Sequence, residues 1–429
     1  MKKRFYIGLF FLIESAFNDQ QLRAPSYNYV NGIFKAESEI VKHVVYKDKI
    51  LLGLEGNITV IDQKLRYSYS VRSNPDSTSS EECYPKSMIV YSEGRELILC
   101  CTSNKGSCHK RKLNGRLSLS DDYAKSEGEI VPWTKNSSCL MVIAKGPGSR
   151  TYAYVANTLP QDTDVQLSVV SRRNLENFQI VSGSFFFDRP VLQAKKYNDP
   201  NADTFEERNI HFWYIKTFTA FNFVHFLVVE PLRLSSYNVF VTRIQRICMQ
   251  NKNFNTHAEL DLKCYYNGTE HNIVTSAYIG RGGEKLQKYL ELPHVEPFSD
   301  DALVLFATFS RSAPFSAVEQ PGSAVCAYRL RDIRKSFTKN IKECYNGIGT
   351  WGPDYFTSQP QNCIEHPEKI DDTSCPNKNK HILGTQPLVS TTQLYIPNHI
   401  VSSIAVTTVD KHTIAFMGTK AGIILKVSI

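Results

Sequence analysis

Short apolar runs separated by turn residues dominate the hydrophobic pattern of this chain. Near the start, Lys49–Gly53 and Ile58–Ile61 flank a turn that contains Gly56. Two short apolar arms around a glycine-bearing turn are typical of a β-hairpin. The pattern therefore predicts an antiparallel strand pair here.

The same pattern of strand, turn and strand recurs along the chain. The recurrences are Glu96–Cys100 with a turn leading to Cys108, then Tyr152–Asn157, and finally Thr413–Gly418 followed by Ile423–Val427. The first three copies are spaced by roughly 50 residues, as in the blades of a β-propeller. The pattern predicts an all-β fold, with a propeller or a pair of β-sandwiches as the two architectures.

One segment has helical periodicity. Between Ala327 and Cys344, the apolar residues are spaced three, four and four apart, at Leu330, Ile333, Phe337 and Ile341. Such a stripe predicts an amphipathic helix that lies on a sheet surface. No long linker or low-complexity tract divides the chain, which predicts a single domain over residues 18–429.

The amino terminus has the pattern of a secretory signal peptide. A basic start, Lys2 to Arg4, precedes the apolar run Phe5–Ile13, and the small residues Ser15 and Ala16 follow. We expect a signal peptide over residues 1–17; the alternative is a short buried helix with a basic start. A bilayer span needs about 20 apolar residues, so we expect neither a transmembrane helix nor membrane insertion in this chain.

Cysteine usage predicts an oxidising compartment. The chain has eleven cysteines, and the six in its second half lie among strand-like runs with no CxxC pair. Such residues are typical of disulfides rather than of metal ligands. An odd total means that at least one cysteine lies outside any intrachain pairing. Because disulfides persist in oxidising compartments, we expect the chain to be secreted or to lie on the extracellular face of the plasma membrane.

Charge and sequons add to this picture. Three N-glycosylation sequons begin at Asn57, Asn136 and Asn267. The net charge is +8, but three of the positive charges lie in the predicted signal. The sequence has no basic stripe with interleaved aromatic residues, so we expect no nucleic-acid binding. The densest basic segment, His109–Lys112, is interpreted as a solvated turn, with heparan sulfate contact as the alternative.

Motifs for catalysis are missing from the sequence. There is no nucleophile elbow, no zinc-protease motif and no P-loop. Gly280–Lys285 lacks the spacing of a phosphate cradle, and Asp371-Asp372 is interpreted as a solvated loop rather than a cation site. We expect no enzyme activity, no cofactor and no metal.

The second half resembles the Sema domain of plexins, the cell-surface receptors for semaphorins. The resemblance is carried by separate motifs in the family's order, namely Arg243–Cys248, His257–Leu260 with Cys264, Ala277–Ile279, Asp301–Phe306, Ser323–Cys326, Cys344–Gly347, Cys363-Ile364, Ile370–Asp372 with Cys375, and Thr413–Val427. In the first half it rests on Arg95–Cys108 and Ser171–Arg173, and little matches between Phe178 and Phe221.

The resemblance implies a seven-bladed β-propeller with a helix-containing insertion in a later blade. It also implies that the segment from Gly32 to Val45 pairs with strands near the carboxyl terminus and so closes the ring. The disulfides it implies are Cys100–Cys108, Cys248–Cys375, Cys264–Cys326 and Cys344–Cys363. The resemblance implies no partner for Cys83, Cys101 or Cys139. We expect Cys83 to pair with Cys101 or with Cys139.

The function implied is that of a receptor head. The chain is expected to recognise a semaphorin by propeller–propeller association and to take part in homotypic receptor contacts and guidance signalling. Two alternatives stay open. One is a secreted semaphorin-like ligand, although Phe254–Cys264 lacks the tryptophan usual in semaphorins. The other is the head of a receptor of the hepatocyte-growth-factor receptor family, although no polybasic cleavage site lies in the insertion.

Overall fold

The computed structural model describes most of the chain after the predicted signal peptide. It describes residues 36 and 38–429, apart from 75–80, 92, 94, 115, 120–127, 136, 159–168, 186–192, 196–204, 208–211, 233–238, 253–255, 292–298, 315, 352–360 and 376–381. The predicted signal peptide lies outside these residues. Contacts group the chain into two compact units: residues 1–141 with 175–179, and residues 142–174 with 180–429.

The first unit contains two antiparallel sheets. The first sheet has the order β1-β2-β3-β4 and the second the order β5-β6-β7. The predicted hairpins at Lys49 and Glu96 are therefore present, and strands β2 and β6 are buried on both faces after their first residue. The bounds are β1 Ile40–Tyr46, β2 Lys49–Leu54, β3 Asn57–Asp62, β4 Tyr67–Arg72, β5 Pro85–Tyr91, β6 Glu96–Cys101, helical turn α1 Ser103–Gly106 and β7 Cys108–Lys112.

The amino-terminal strand departs from the expected ring closure. Strand β1 pairs with β2, from Ile40 opposite Leu54 to Tyr46 opposite Lys49. A two-residue loop with Lys47 at φ 56° joins them. A local hairpin has a lower loop-closure cost than pairing with a segment hundreds of residues away. The prediction for Ile40–Val45 was wrong; the part of it at residues 32–35 lies outside the described residues.

The basic segment is a strand and not a solvated turn. Within β7, His109 is 3% exposed and Arg111 is 6% exposed. The Arg111 guanidinium donates to the backbone oxygens of Arg72, Ser73 and Leu117 at 2.6, 3.2 and 3.0 Å. Because the strand period is two, alternate basic side chains point into the unit, which the solvated-turn interpretation did not anticipate.

The second unit begins with a four-stranded sheet of order β11-β10-β9-β8, followed by a separate strand pair. Strand β9 contains the third predicted strand-like run. The bounds are β8 Cys139–Lys145, β9 Thr151–Asn157, β10 Val170–Asn174, β11 Ile180–Phe185, β12 Gln193–Lys195 and β13 Phe205–Glu207, with a 3₁₀ turn at Pro147–Ser149.

The main body of the second unit is one continuous sheet. Its path is β14-β15-β16-β17-β25-β21-β20-β19, with the short strands β18, β22, β23 and β24 attached beside it. The bounds are β14 Trp213–Ala220, β15 Phe223–Pro231, β16 Phe240–Cys248, β17 Ala258–Tyr266, β18 Thr269–His271, β19 Ile273–Arg281, β20 Leu303–Ser312, β21 Glu319–Arg329, β22 Thr350–Trp351, β23 Gln361–Asn362, β24 Ile382–Leu383 and β25 Leu388–Ile396.

Helices are few in the described chain. Short helix α2 covers Glu284–Tyr289, a 3₁₀ turn covers Asp300–Ala302, and helix α3 covers Leu330–Tyr345. Helix α3 buries Leu330, Ile333, Phe337 and Ile341 against the sheet. The amphipathic-helix prediction is confirmed, including the residues of its stripe.

A three-stranded sheet ends the chain. Strands β26 Val401–Val409, β27 His412–Thr419 and β28 Ile424–Ser428 pair in sequence order. The hairpin predicted from Thr413 to Val427 is therefore present. Among the described residues, no helix is both long and apolar enough to cross a bilayer.

Candidate functional site: a braced insertion and two buried arginines

Three of the disulfides implied by the resemblance fall in the second unit, and the structure brings each pair together. The Cα–Cα distances are 5.7 Å for Cys248–Cys375, 5.9 Å for Cys264–Cys326 and 5.0 Å for Cys344–Cys363. The last two pairs lie inside the 127-residue interval that the first one closes. The insertion that contains helix α3 is thus braced at its ends and within.

Two further pairs lie in the first unit. Cys100 and Cys108 face each other across the β6-β7 ladder. Cys83 lies against Cys101, with a Cα–Cα distance of 5.1 Å, so the structure selects the first of the two partners left open for Cys83. Cys139, outside these five pairs, is 2% exposed.

The glycosylation sequons fall in different surroundings. Asn267 is exposed and, with Gly268, forms the turn between β17 and β18, with φ values of 47° and 75°. Asn57 begins β3 beside the turn glycine Gly56 and is half-buried. Asn136 lies outside the described residues. The geometry favours Asn267 as the most accessible acceptor of the two that are described.

The first of two buried arginines, Arg243, lies in a network of polar side chains. Because Arg243 lies opposite Asp261, and Gln245 opposite Glu259, all four side chains share one face of adjacent strands β16 and β17. The Arg243 guanidinium donates to Asp261 at 2.6 Å and to Glu230, from strand β15, at 2.9 Å. Glu230 and Glu259 have 0% and 1% exposure.

Gln245 joins the two buried carboxylates of this network. Its Nε2 donates to Glu230 and to Glu259, each at 3.1 Å. Burial, together with the negative charge of Glu230, raises the pKa of Glu259 well above its usual range, although Arg243 opposes that effect. Burial also raises the pKa of Tyr214, on strand β14, well above its usual range. On this face the cost of burial therefore falls mainly on Glu259.

The second buried arginine, Arg246, lies on the opposite face of the same strand. Its guanidinium carbon lies 4.2 Å from the ring centre of Phe223 and 4.5 Å from that of Phe337. Among the described residues, its Nη1 has no hydrogen-bond partner. Burial lowers the pKa of Arg246 to about 9, against a smaller opposing effect of Asp372. Stacking between two rings is here the main contact of a desolvated cation.

His225 lies directly across the strand pair from Arg246. Its ring stacks on Phe218 at 4.8 Å between centroids, with an interplanar angle of 8°. Burial and the positive charge of Arg246 lower the pKa of His225 to about 3. The histidine is therefore neutral at physiological pH and packs as an aromatic ring.

Arg334 of helix α3 contacts residues of the insertion and of the neighbouring strands beside Arg246. Its guanidinium carbon lies 4.2 Å from the ring centre of Phe221. Its side chain also lies 3.2 Å from Asp301 and 3.7 Å from Asp372. Since Asp372 is three residues from Cys375, the same few side chains join the helix, the strand hairpin β14-β15 and the disulfide-linked loop.

The Asp371-Asp372 pair forms part of an exposed turn. The Asp371 carboxylate accepts from the backbone and hydroxyl of Thr373, both at 2.8 Å, and from the Ser374 hydroxyl at 2.9 Å. The hydrogen bonds from Thr373, followed by those from Ser374, lower the pKa of Asp371. In the described part of the chain, no group of three His, Cys, Asp or Glu side chains is arranged to hold a metal.

This arrangement is suited to holding a surface rigid. Arg243, Arg246, Glu230 and Glu259 are buried, so these side chains contact other residues of the sheet instead of facing a substrate. The sequence named Arg243–Cys248 as a family motif but did not assign Arg243 and Arg246 to opposite faces. It named Glu259 only as part of the motif His257–Leu260, without a partner, and it missed Glu230 and His225. The alternation of Arg243 with Gln245 and of Glu259 with Asp261 was the available signal.

Comparison with known proteins places the chain beside plexins. The model of the Sema domain matches residues 286–429. Mouse Plexin-A4 is 24% identical over 92% of this chain and 22% of its own length, and mouse Plexin-A2 is 24% identical over 79% of this chain and 18% of its own length. This chain thus spans about a fifth of the length of these relatives.

Two solved structures show the same fold. The full extracellular region of Plexin A4 superposes with a TM-score of 0.76 at 20% identity, covering 90% of this chain and 45% of that one. Drosophila Semaphorin 1a, extracellular domains 1–2, superposes with a TM-score of 0.59 at 17% identity, covering 90% and 75%. The all-β fold of a Sema-type propeller is confirmed, and so is the resemblance to plexins stated from the sequence.

Proposed function

We propose that this chain, which carries a Sema domain similar to that of plexins, is an extracellular receptor head that binds a semaphorin. The comparisons support a plexin-like head directly. Semaphorin recognition, homotypic association of heads and guidance signalling are proposed in addition. The observation that carries it is the similarity to Plexin-A4 over 92% of this chain.

The described geometry supports association rather than chemistry. A rigid insertion, held by three cysteine pairs and by the Arg246 and Arg334 clusters, suits the presentation of a fixed surface to a protein partner. Specific protein interfaces of this kind bury about 1,600 Å² in total and depend on shape and charge complementarity. A preorganised surface lowers the ordering cost of binding.

A binding assay of the secreted, glycosylated chain tests the proposal. The chain is immobilised and presented with a panel of semaphorin ectodomains, a panel of plexin heads and hepatocyte growth factor, with surface plasmon resonance as the readout. Saturable binding of at least one semaphorin is the expected result. Binding to plexin heads with no semaphorin bound assigns the chain as a ligand instead, and binding to hepatocyte growth factor alone assigns it to that receptor family.

A matched control separates specific recognition from adhesion to an unfolded surface. The chain reduced and alkylated under denaturing conditions has the same composition and net charge but no fold. Semaphorin binding that survives this treatment would be non-specific. Sedimentation of the native chain over a range of concentrations, without ligand, tests the proposed homotypic association.

We also propose the four family-implied cysteine pairs as covalent disulfides, with a signal peptide over residues 1–17 and glycans on Asn57, Asn136 and Asn267. Peptide mapping without reduction is expected to recover Cys344 joined to Cys363 and Cys248 joined to Cys375. Recovery of Cys344 joined to Cys326 would refute this framework. Amino-terminal sequencing of the secreted chain and mass analysis before and after deglycosylation test the remainder.

A further inference from the structure

Strands β17 and β18 form a hairpin whose two-residue turn is Asn267-Gly268. Both turn residues have a positive φ, 47° and 75°, as a type I′ turn requires. Tyr266 and Thr269 lie opposite each other on either side of this turn. The glycosylation sequon Asn267-Gly268-Thr269 is therefore the tip of the hairpin, and an aromatic residue stands directly before it.

Two other rings hold the Tyr266 ring in place. It stacks on Tyr395 of β25, with 4.0 Å between ring centres and an interplanar angle of 8°. The His271 imidazole meets it edge-on, at 6.5 Å between centres and 71° between planes. Among the described residues, no further aromatic ring and no cation contacts it. Tyr395 thus covers one face of the tyrosine ring, and the opposite face carries no ring.

Alternation along the strand decides which side chains lie near the sequon. Tyr266 and Thr269 share one face of the hairpin because they are directly opposite. Tyr265 points to the other face, where its hydroxyl donates to the Glu270 carboxylate at 3.2 Å. Tyr266 is half-buried, whereas Asn267 and Thr269 are exposed. A sugar on Asn267 is therefore attached next to Tyr266, with the Tyr265 ring on the far side of the hairpin.

The tip of the hairpin leaves room for a sugar. A Cβ atom added at Gly268 would have no atom of the described chain within 4 Å. The first sugar of an N-linked glycan is bonded to the asparagine side-chain nitrogen, so its pyranose ring is held close to the turn. Asn267 therefore keeps that ring within reach of the neighbouring tyrosine.

The chemistry of this sugar matches an aromatic face. N-acetylglucosamine is a pyranose with equatorial substituents, so its two faces present C–H bonds. These bonds carry a small positive charge, and the face of an aromatic ring is negative. Contact also removes apolar surface of both rings from water. Because Tyr395 and His271 already fix the tyrosine ring, the contact costs little additional ordering.

The sequon at Asn57 provides a comparison within the same chain. Glu55 and Gly56 precede it, so no aromatic ring stands at the corresponding position. Its threonine, Thr59, is 5% exposed, and the Thr59 hydroxyl lies 2.8 Å from that of Ser70. Of these two sequons, the one at Asn267 combines an exposed acceptor with a preceding tyrosine.

We propose that the first sugar of a glycan on Asn267 packs on the ring of Tyr266 and stabilises the β17-β18 hairpin. The inference rests on the glycosylation of Asn267 proposed above, and it is independent of semaphorin recognition. The glycan is then part of the folded hairpin rather than a solvated appendage.

Hydrogen exchange of the hairpin amides, residues 264–271, tests the proposal on the natural chain. The chain is secreted with oligomannose glycans and compared in two forms, one trimmed to a single N-acetylglucosamine by an endoglycosidase and one released completely by peptide N-glycosidase. Loss of the last sugar is expected to speed exchange about two- to tenfold, the range of an aromatic contact. Exchange at residues 57–62, beside the sequon without a ring, is expected to stay the same.

Two tyrosine variants form a matched pair. In Tyr266→Val, the trimmed and sugar-free forms are expected to exchange at rates within about twofold of each other, because the ring is gone. In Tyr265→Val, which removes the ring on the opposite face, the difference between the two forms is expected to persist. Asn267→Gln provides the sugar-free hairpin without the aspartate that the enzyme leaves, and should exchange like the released form.

A further measurement needs no tyrosine variant. In the nuclear magnetic resonance spectrum of the trimmed natural chain, ring protons of one N-acetylglucosamine, assigned by their loss in Asn267→Gln, are expected to shift upfield relative to the denatured chain. Equal exchange of the two natural forms, a sugar effect retained in Tyr266→Val, or no upfield shift would each overturn the proposal.

Mass analysis of the glycopeptides separates the two ways in which the inference fails. An unoccupied Asn267 would overturn the glycan and the contact together. An occupied Asn267 without the exchange and spectral effects would overturn the contact alone and leave the glycosylation standing.

Discussion

Arg243 and Arg246 lie three residues apart on strand β16, are 1% and 2% exposed, and have opposite surroundings. Arg243 donates to carboxylates on one face of the sheet, and Arg246 stacks between two phenylalanine rings on the other. An odd separation along a strand places them on opposite faces. The same residue type, equally buried, is balanced by charge in one place and by aromatic contact in the other.

This difference determines which group bears the electrostatic cost of burial. On the Arg243 face, it falls on Glu259, whose pKa is raised well above its usual range. On the Arg246 face, it falls on the arginine itself and on His225, whose pKa values are lowered to about 9 and about 3. A buried ion pair and a stacked cation are therefore expected to respond differently to mutation and to acid.

Removal of Arg243 is expected to have the largest effect. Arg243→Met leaves the buried charge of Glu230 without its guanidinium partner, and breaking a buried pair in this way costs about 3–5 kcal/mol. The midpoint of urea unfolding, with disulfides intact, measures the loss. Arg243→Lys is the matched control, because it keeps the charge but not the forked geometry of the guanidinium. Its unfolding midpoint should lie between those of the natural chain and of Arg243→Met. A loss below about 1 kcal/mol would show that the network contributes little.

Acid is expected to affect the two faces in opposite directions. His225 binds a proton when unfolded at its usual pKa but in the folded chain only near 3. Its contribution to stability is complete above about pH 6.5 and is lost as the pH falls toward 3. At pH 4 the loss amounts to roughly 3 kcal/mol. The pKa of Glu259 is raised in the folded chain, so this group adds stability as the pH falls toward its unfolded pKa.

Single variants separate these two contributions. Unfolding midpoints of His225→Gln between pH 4 and 7 should fall less on acidification than those of the natural chain, and those of Glu259→Gln should fall more. Identical pH profiles for the natural chain and both variants would contradict the assignment of the two protons.

Replacement of Arg246 is expected to have a smaller effect than that of Arg243. Arg246→Met loses the ring stacking, worth about 1–2 kcal/mol, but relieves the desolvation of a buried cation, so the net change in unfolding free energy should lie within about 1 kcal/mol of zero. The same urea titration measures it. A loss equal to that of Arg243→Met would mean that stacking supports a buried cation as strongly as carboxylates do.

The smallest effect is expected at Asp372. Its side chain is 35% exposed and lies 3.7 Å from Arg334, so solvent screens its interactions. Asp372→Asn should cost less than about 1 kcal/mol. Asp301→Asn, at the other carboxylate beside Arg334, is the matched control and is expected to cost a similar amount. A larger loss at Asp372 alone would show that its charge supports Arg246 through the protein interior.

Local patterns predicted most of the fold. The stripe from Leu330 to Ile341 predicted helix α3, and the turn glycines predicted the hairpins, because both signals act between residues that are close in the sequence. The ring-closing strand was predicted from resemblance alone, and the two-residue loop at Lys47 directs Ile40–Tyr46 into a local hairpin instead.

Long-range contacts set the limit for the site. In the sequence, Arg243 and Gln245 flank Ile244, and this local pattern does not determine whether their shared face is buried. That face is buried because Glu230, thirteen residues earlier, and Glu259, on a separate strand, provide its partners. His109 and Arg111 were misjudged for the same reason: the carbonyls that satisfy Arg111 include Arg72 and Ser73, about forty residues earlier.

The nested cysteine pairs of the insertion have a mechanical consequence. With the Cys248–Cys375 disulfide formed, a force applied between the two ends of the chain passes through that bond and bypasses the 127-residue interval it closes. Roughly 430 Å of contour length is then withheld from extension. The chain inside the interval, including helix α3 and the two inner pairs, is then loaded only through noncovalent contacts such as the ladders of β25 with β17 and β21.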